Sequence, residues 1–126
     1  MREGSPGCRV LVAEDNRFIA DELARLLETA GVIVLGPLAT VDEALEFVEA
    51  RAGIELVVLA IDLNGRGAFP VADTLAERRI PFVFVTGYAD ASVPARYANI
   101  ARYEKPVDGE VVNQVLRQKA PAQPRA

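Results

Sequence analysis

Two apolar textures alternate along this chain, and that alternation limits what it can fold into. Short runs rich in β-branched residues, such as Arg9-Val10-Leu11-Val12-Ala13, Leu56-Val57-Val58-Leu59 and Pro81-Phe82-Val83-Phe84-Val85, are separated by longer stretches whose apolar residues recur at helical spacing. A continuous apolar run of this length suits a strand covered on both faces, and the intervening helices supply the cover. Repeated β–α units around a parallel sheet follow. Strands are predicted over 8–14, 32–36, 55–61, 80–86 and 100–104.

The helices carry local signals of their own. The first spans about 16–30, with Ile19, Leu23, Leu26, Leu27 and Ala30 on one stripe and Gly31 as its C-terminal cap. The second starts at Thr40, where Thr40-Val41-Asp42-Glu43 fits a capping box. Ala44, Leu45, Val48 and Ala52 form its inner face, and Gly53 its stop. The third runs from Pro70 to Arg78. The fourth, about 92–99, is short and weakly patterned, which predicts the most mobile helix. The fifth runs from Asp108 to Lys119 with Val111, Val112, Val115 and Leu116 inward.

With 126 residues, one domain over 8–119 is expected, with flexible termini at 1–7 and 120–126. The single cysteine, Cys8, cannot form an internal disulfide and reads as a small buried apolar residue. The absence of histidine excludes histidine acid–base and metal chemistry, and no GxxxxGK phosphate loop is present. A net charge of −4 argues against a general nucleic-acid binder. No apolar run approaches the ~20 residues of a membrane helix, and the N-terminus lacks an apolar signal core. Cytoplasmic residence is the resulting expectation.

In open α/β sheets, ligands bind at the carboxyl ends of the strands where strand order reverses. The first strand runs into Glu14-Asp15-Asn16, the fourth into Thr86-Gly87-Tyr88, and the fifth into Lys105-Pro106. The third is followed by Ala60-Ile61-Asp62-Leu63-Asn64-Gly65. Taken in order, each at the end of its strand, these pieces resemble the receiver domain of two-component response regulators, the chemotaxis-regulator fold. The resemblance covers about residues 8–119. It implies a flavodoxin-like (βα)5 three-layer α/β sandwich, its parallel five-stranded sheet in the order 2-1-3-4-5. The Asn64-Gly65 loop and the run Phe69-Pro70-Val71-Ala72-Asp73 resemble one branch of single-domain receivers.

The resemblance also implies roles. Glu14 and Asp15 match the acids that hold Mg²⁺, Thr86 the switch hydroxyl, and Lys105 the cation that pairs with the phosphoryl group. The aspartate that takes a phosphoryl group from a sensor kinase's phosphohistidine matches Ala60, whose methyl can neither attack phosphorus nor bind metal. Asp62 lies two strand steps further, about 6–7 Å, on the same side of an extended strand. It reads as an outer metal ligand or structural acid, and as the alternative acceptor. With one carboxylate lost, Mg²⁺ binding is expected to be weak. The Lys105–Pro106 bond is expected to be cis, as is common in the family. The family's switch aromatic stands three residues before the lysine, where this chain has Arg102; Tyr103 stands two before. Plainer roles compete at each position: helix capping for Glu14 and Asp15, a turn for Thr86, and loop cover for Tyr88.

Together these features predict a stand-alone receiver rather than an enzyme. It is degenerate at its phosphorylation site and acts by protein–protein binding. The expected partner is a sensor histidine kinase or a downstream signalling protein, with no nucleic acid or membrane. The binding face comprises the fourth helix, fifth strand and fifth helix, and the same face is where a homodimer would form. Two alternatives remain open: an active acceptor at Asp62, and a normal receiver whose acceptor has been deliberately changed to alanine.

Overall fold

A computed structural model describes residues 7–87 and 93–117. The elements are β1 (Arg9–Ala13), α1 (Arg17–Thr29), β2 (Ile33–Leu38), α2 (Val41–Ala50) and β3 (Leu56–Ala60), then a small hairpin of β4 (Asp62–Leu63) and β5 (Arg66–Gly67). They continue with α3 (Phe69–Glu77), β6 (Phe82–Thr86), a 3₁₀ turn (Ala95–Tyr97), β7 (Arg102–Glu104) and α4 (Gly109–Arg117). Five strands form one parallel sheet in the order β2-β1-β3-β6-β7. Counting only the strands of that sheet, this is 2-1-3-4-5, the flavodoxin-like order. Helix α1 packs beside α4 and α2 beside α3, so the sheet is enclosed between two helical layers. Every residue of β3 and β6 is therefore buried, whereas the edge strands β2 and β7 are partly exposed. Cys8 is buried at the start of β1, as its apolar character suggested.

The helix ends follow their local chemistry. Asn16 caps α1, its Oδ1 accepting from the Ile19 N–H at 3.1 Å. Gly31, at φ 93°, and Val32 close the other end by donating to the Glu28 and Leu27 carbonyls. At α2, Thr40 Oγ1 accepts from the Glu43 N–H at 3.0 Å. The Glu43 carboxylate reaches one residue further back than a capping box requires, to the Ala39 N–H at 3.1 Å. Helix α2 ends at Ala50 rather than near Gly53, and Ala52 is exposed.

Two regions depart from the sequence expectation. The loop after β3 folds back as a two-residue hairpin, with Asn64 at φ 53° and Gly65 at φ 82°. Positive φ at both positions is what an Asn-Gly turn of this kind demands. The expected fourth helix is, among the described residues, a single 3₁₀ turn after Pro94. Its last residue, Tyr97, is 2% exposed and packs against Phe69, Phe82 and Phe84 with ring centroids 5.8–6.4 Å away. The Tyr97 O–H donates to the Asp73 carboxylate on α3. The Arg96 guanidinium holds the same carboxylate at 3.1 and 3.2 Å and lies 4.8 Å from the Tyr97 ring centroid. This ties the segment before β7 to α3. Tyr88, the first residue of the predicted fourth helix and the last two of the fifth lie outside the described residues, as do segments 1–6 and 118–126.

Burial, and then the hydrogen bond to Asp73, push the Tyr97 hydroxyl up to about 12. A raised phenol pKa stabilises the fold fully below the unfolded value of about 10. Above that value the unfolded chain releases the proton first, and stability falls as pH rises toward about 12. Urea unfolding of the wild type and Tyr97→Phe between pH 8 and 12 measures this, because other titrating groups cancel in the difference. The stability gap, about 1 kcal/mol at neutral pH, should narrow above pH 10. A gap that stays constant would show that Tyr97 is not held protonated by the fold.

Candidate functional site

The carboxyl ends of β1, β3, β6 and β7 meet in one open crevice of about 470 Å³. Its walls include Glu14, Asp15, Asn16, Asp62, Thr86 and Lys105. All five sequence-predicted polar site residues are thus brought together. Ala60, the last residue of β3, is paired with Val85 of β6 and fully buried, so it offers the crevice no functional group. The next residue, Ile61, donates its N–H to the Val85 carbonyl at 3.1 Å, and there the extended strand ends.

Glu14 is the deepest of the acids. Its side chain has no exposure, and Oε1 lies 2.6 Å from Nζ of Lys105, itself 16% exposed. Oε2 accepts from the Asn16 N–H at 2.9 Å. Oε1 takes no hydrogen bond, so its stabilisation comes from the ammonium charge. Lys105 is held from the other side through its backbone: its N–H donates to the Thr86 carbonyl at 2.8 Å, and the Lys105–Pro106 bond is cis. Thr86 closes β6 at 5% exposure.

The other two acids bind loops. Asp15 Oδ2 accepts from the Asn64 N–H at 2.7 Å and so fastens the hairpin after β3 to the end of β1. Asp62 begins that hairpin, is exposed, and turns Oδ2 back to the Gly65 N–H at 3.1 Å. The reach estimated along an extended strand therefore does not apply to Asp62, because the strand stops at Ala60. Capping of α1 falls to Asn16, which leaves Glu14 and Asp15 to the crevice. Among the described residues, no group of three or more Cys, Asp or Glu side chains is placed to hold a metal ion. Three carboxylates and one ammonium line the crevice, and the recorded ion pair joins Lys105 to Glu14.

Two features escaped the sequence reading. The direct Glu14–Lys105 contact joins distant positions and leaves no local signal. The hairpin did leave one, the Asn64-Gly65 pair. The departure at Arg102 stands: it is exposed and paired in register with Phe84, while Tyr103 is half-buried.

No family model matches the chain. The solution structure of SdrG from Sphingomonas melonis Fr1 is similar at 36% identity, with a TM-score of 0.80, over 90% of this chain and 96% of that one. The receiver domain of the hybrid histidine kinase CckA is 25% identical, with a TM-score of 0.69, over 88% of this chain and 97% of that one. The transcriptional regulatory protein PdtaR of Mycobacterium tuberculosis is 30% identical over 89 residues. That match takes in 70% of this chain and 43% of the relative, so the chain spans less than half the length of that protein.

The buried ion pair has a measurable consequence. Lys105→Met leaves the Glu14 carboxylate buried without a countercharge and should cost about 3–5 kcal/mol in urea unfolding. The double variant Glu14→Gln/Lys105→Met should be more stable than Lys105→Met alone, because no charge is stranded. Additive costs in that cycle would mean that the two side chains do not act as a pair.

Proposed function

Because the chain belongs to the response-regulator receiver domains of two-component signalling, we propose that it is a receiver whose phosphoacceptor position is occupied by Ala60 and whose output is protein binding. The observation that carries this reading is the pairing of a buried methyl at the end of β3 with a polar crevice. In a receiver, an aspartate oxygen attacks phosphorus, the bond to the kinase imidazole breaks, and an acyl phosphate forms. Ala60 has no oxygen to attack with. On this reading Thr86 and Lys105 match the positions from which a receiver hydrogen-bonds and neutralises the phosphoryl group, and Glu14 and Asp15 match its metal acids. Their presence supports descent from a phosphorylated ancestor or a recent change at residue 60. It does not supply the missing nucleophile.

The partner on this reading is a sensor histidine kinase or a downstream signalling protein in the cytoplasm. It is engaged through the segment from Val93 to Glu104 together with α4, and a second copy of the chain is the other candidate for that face. Mg²⁺ binding is weak, since one ligand carboxylate of the family is missing. A second reading has one observation in its favour: Asp62 lines the same crevice. Its carboxylate, however, is turned into the hairpin toward Gly65. A third origin, an acceptor changed deliberately to alanine, predicts the same protein with a recoverable activity.

One measurement separates these readings. The chain is incubated with acetyl phosphate and Mg²⁺ and its intact mass recorded. The wild type should gain no phosphoryl group, whereas Ala60→Asp should gain one. A gain in the wild type that disappears in Asp62→Asn would replace the first reading by the second. Failure of Ala60→Asp to react would show that the remaining groups are no longer arranged for the transfer.

A further inference from the structure

We propose that Lys105 is the resident cation of the crevice and that it keeps divalent metal away from Glu14. Each acid already has an oxygen committed. Glu14 places one on the Asn16 N–H and the other beside the Lys105 ammonium at 2.6 Å. Asp15 and Asp62 each give one to the hairpin, at Asn64 and Gly65. Among the described residues, no set of three acids is left as a metal-holding group.

Mg²⁺ requires near-octahedral oxygen ligation at about 2.0–2.1 Å and gives up its water reluctantly. The donor set here does not fit that demand. A metal reaching Glu14 must first expel an ammonium only 16% exposed and leave it beside the incoming dication. The alanine at residue 60 explains why the lysine has settled where it has. A carboxylate there would offer Nζ a second anion. With a methyl in its place, Glu14 is the only acid in ion-pair contact with Lys105 among the described residues. Lys105 therefore does permanently what a metal does reversibly in an intact site: it neutralises the deepest carboxylate.

The inference takes Mg²⁺ as its probe from the receiver reading. Its test reads lysine chemistry, so it can fail while the acceptor reading stands. The sequence contains two lysines, Lys105 and Lys119, which makes amine labelling easy to resolve. The full chain is acetylated with acetic anhydride, with and without millimolar Mg²⁺, and labelling is followed by peptide mass mapping with Lys119 as the internal reference. The relative rate at Lys105 should be unchanged by Mg²⁺ and should rise in Glu14→Gln. Calorimetric Mg²⁺ titration should show binding about tenfold tighter in Lys105→Gln than in the wild type. That gain should be lost in Glu14→Gln/Lys105→Gln. If Lys105→Gln does not fold, the wild-type labelling decides alone. Faster labelling of Lys105 on adding Mg²⁺ would overturn the proposal, as would equal Mg²⁺ affinity in the wild type and Lys105→Gln.

Discussion

A parallel sheet covered on both faces can place polar side chains only where its strands end. That constraint organises this molecule. Of the described residues, the two buried polar ones are Glu14, immediately after β1, and Thr86, the last residue of β6. Both sit at the rim where the strand order turns. Burial of a carboxylate at Glu14's depth is unfavourable unless hydrogen bonds and a countercharge compensate it. The Asn16 N–H and the Lys105 ammonium provide both, and Lys105 is presented by a loop anchored to Thr86. The crevice is a by-product of the fold, and its charges are positioned by the same backbone contacts that close the sheet.

How much of this was legible in the sequence depends on the range of the interaction. Patterns set within a few residues were readable. The apolar runs of β1, β3 and β6, the Thr40 cap and Gly31 at the end of α1 all appear where local chemistry puts them. The convergence of Glu14, Asp15, Thr86 and Lys105 was readable as well, because parallel topology sends successive strand ends to one side. Contacts that depend on packing were not. Among the described residues the expected fourth helix is a 3₁₀ turn, and its Tyr97 joins an aromatic cluster that no local window reveals. Asp62 reaches the crevice wall as expected, but by way of a hairpin rather than an extended strand, because β3 ends at Ala60.

On the proposed reading, residue 60 is a position on which stability and chemistry place different demands. The alanine is fully buried, continues the β3–β6 ladder and disturbs no hydrogen bond. The fold loses nothing by it. On the proposed reading an aspartate there would bring a further carboxylate beside Glu14 and Asp15, and such a group of acids repels itself unless cations are recruited. With alanine, one lysine suffices at the deepest acid. On the proposed reading, removal of the acceptor relaxes the electrostatics of the crevice while the sheet stays intact.

A switch needs an element with two arrangements of similar free energy and a ligand that prefers one of them. Here the routes from crevice to surface are fastened at both ends. Lys105, just beyond β7, is paired with Glu14. Ahead of β7, Tyr97 and Arg96 share the Asp73 carboxylate on α3. Arg102, three residues before the lysine, is an exposed cation, so no aromatic ring moves at that position. On the proposed reading, a partner recognising this face meets a surface that is already arranged. Its affinity is not reduced by the fraction of time the competent state is absent. On the proposed reading, in which residue 60 takes no phosphoryl group, a fixed binding surface is the physically consistent form of output, and regulation then falls to the abundance or state of the partner.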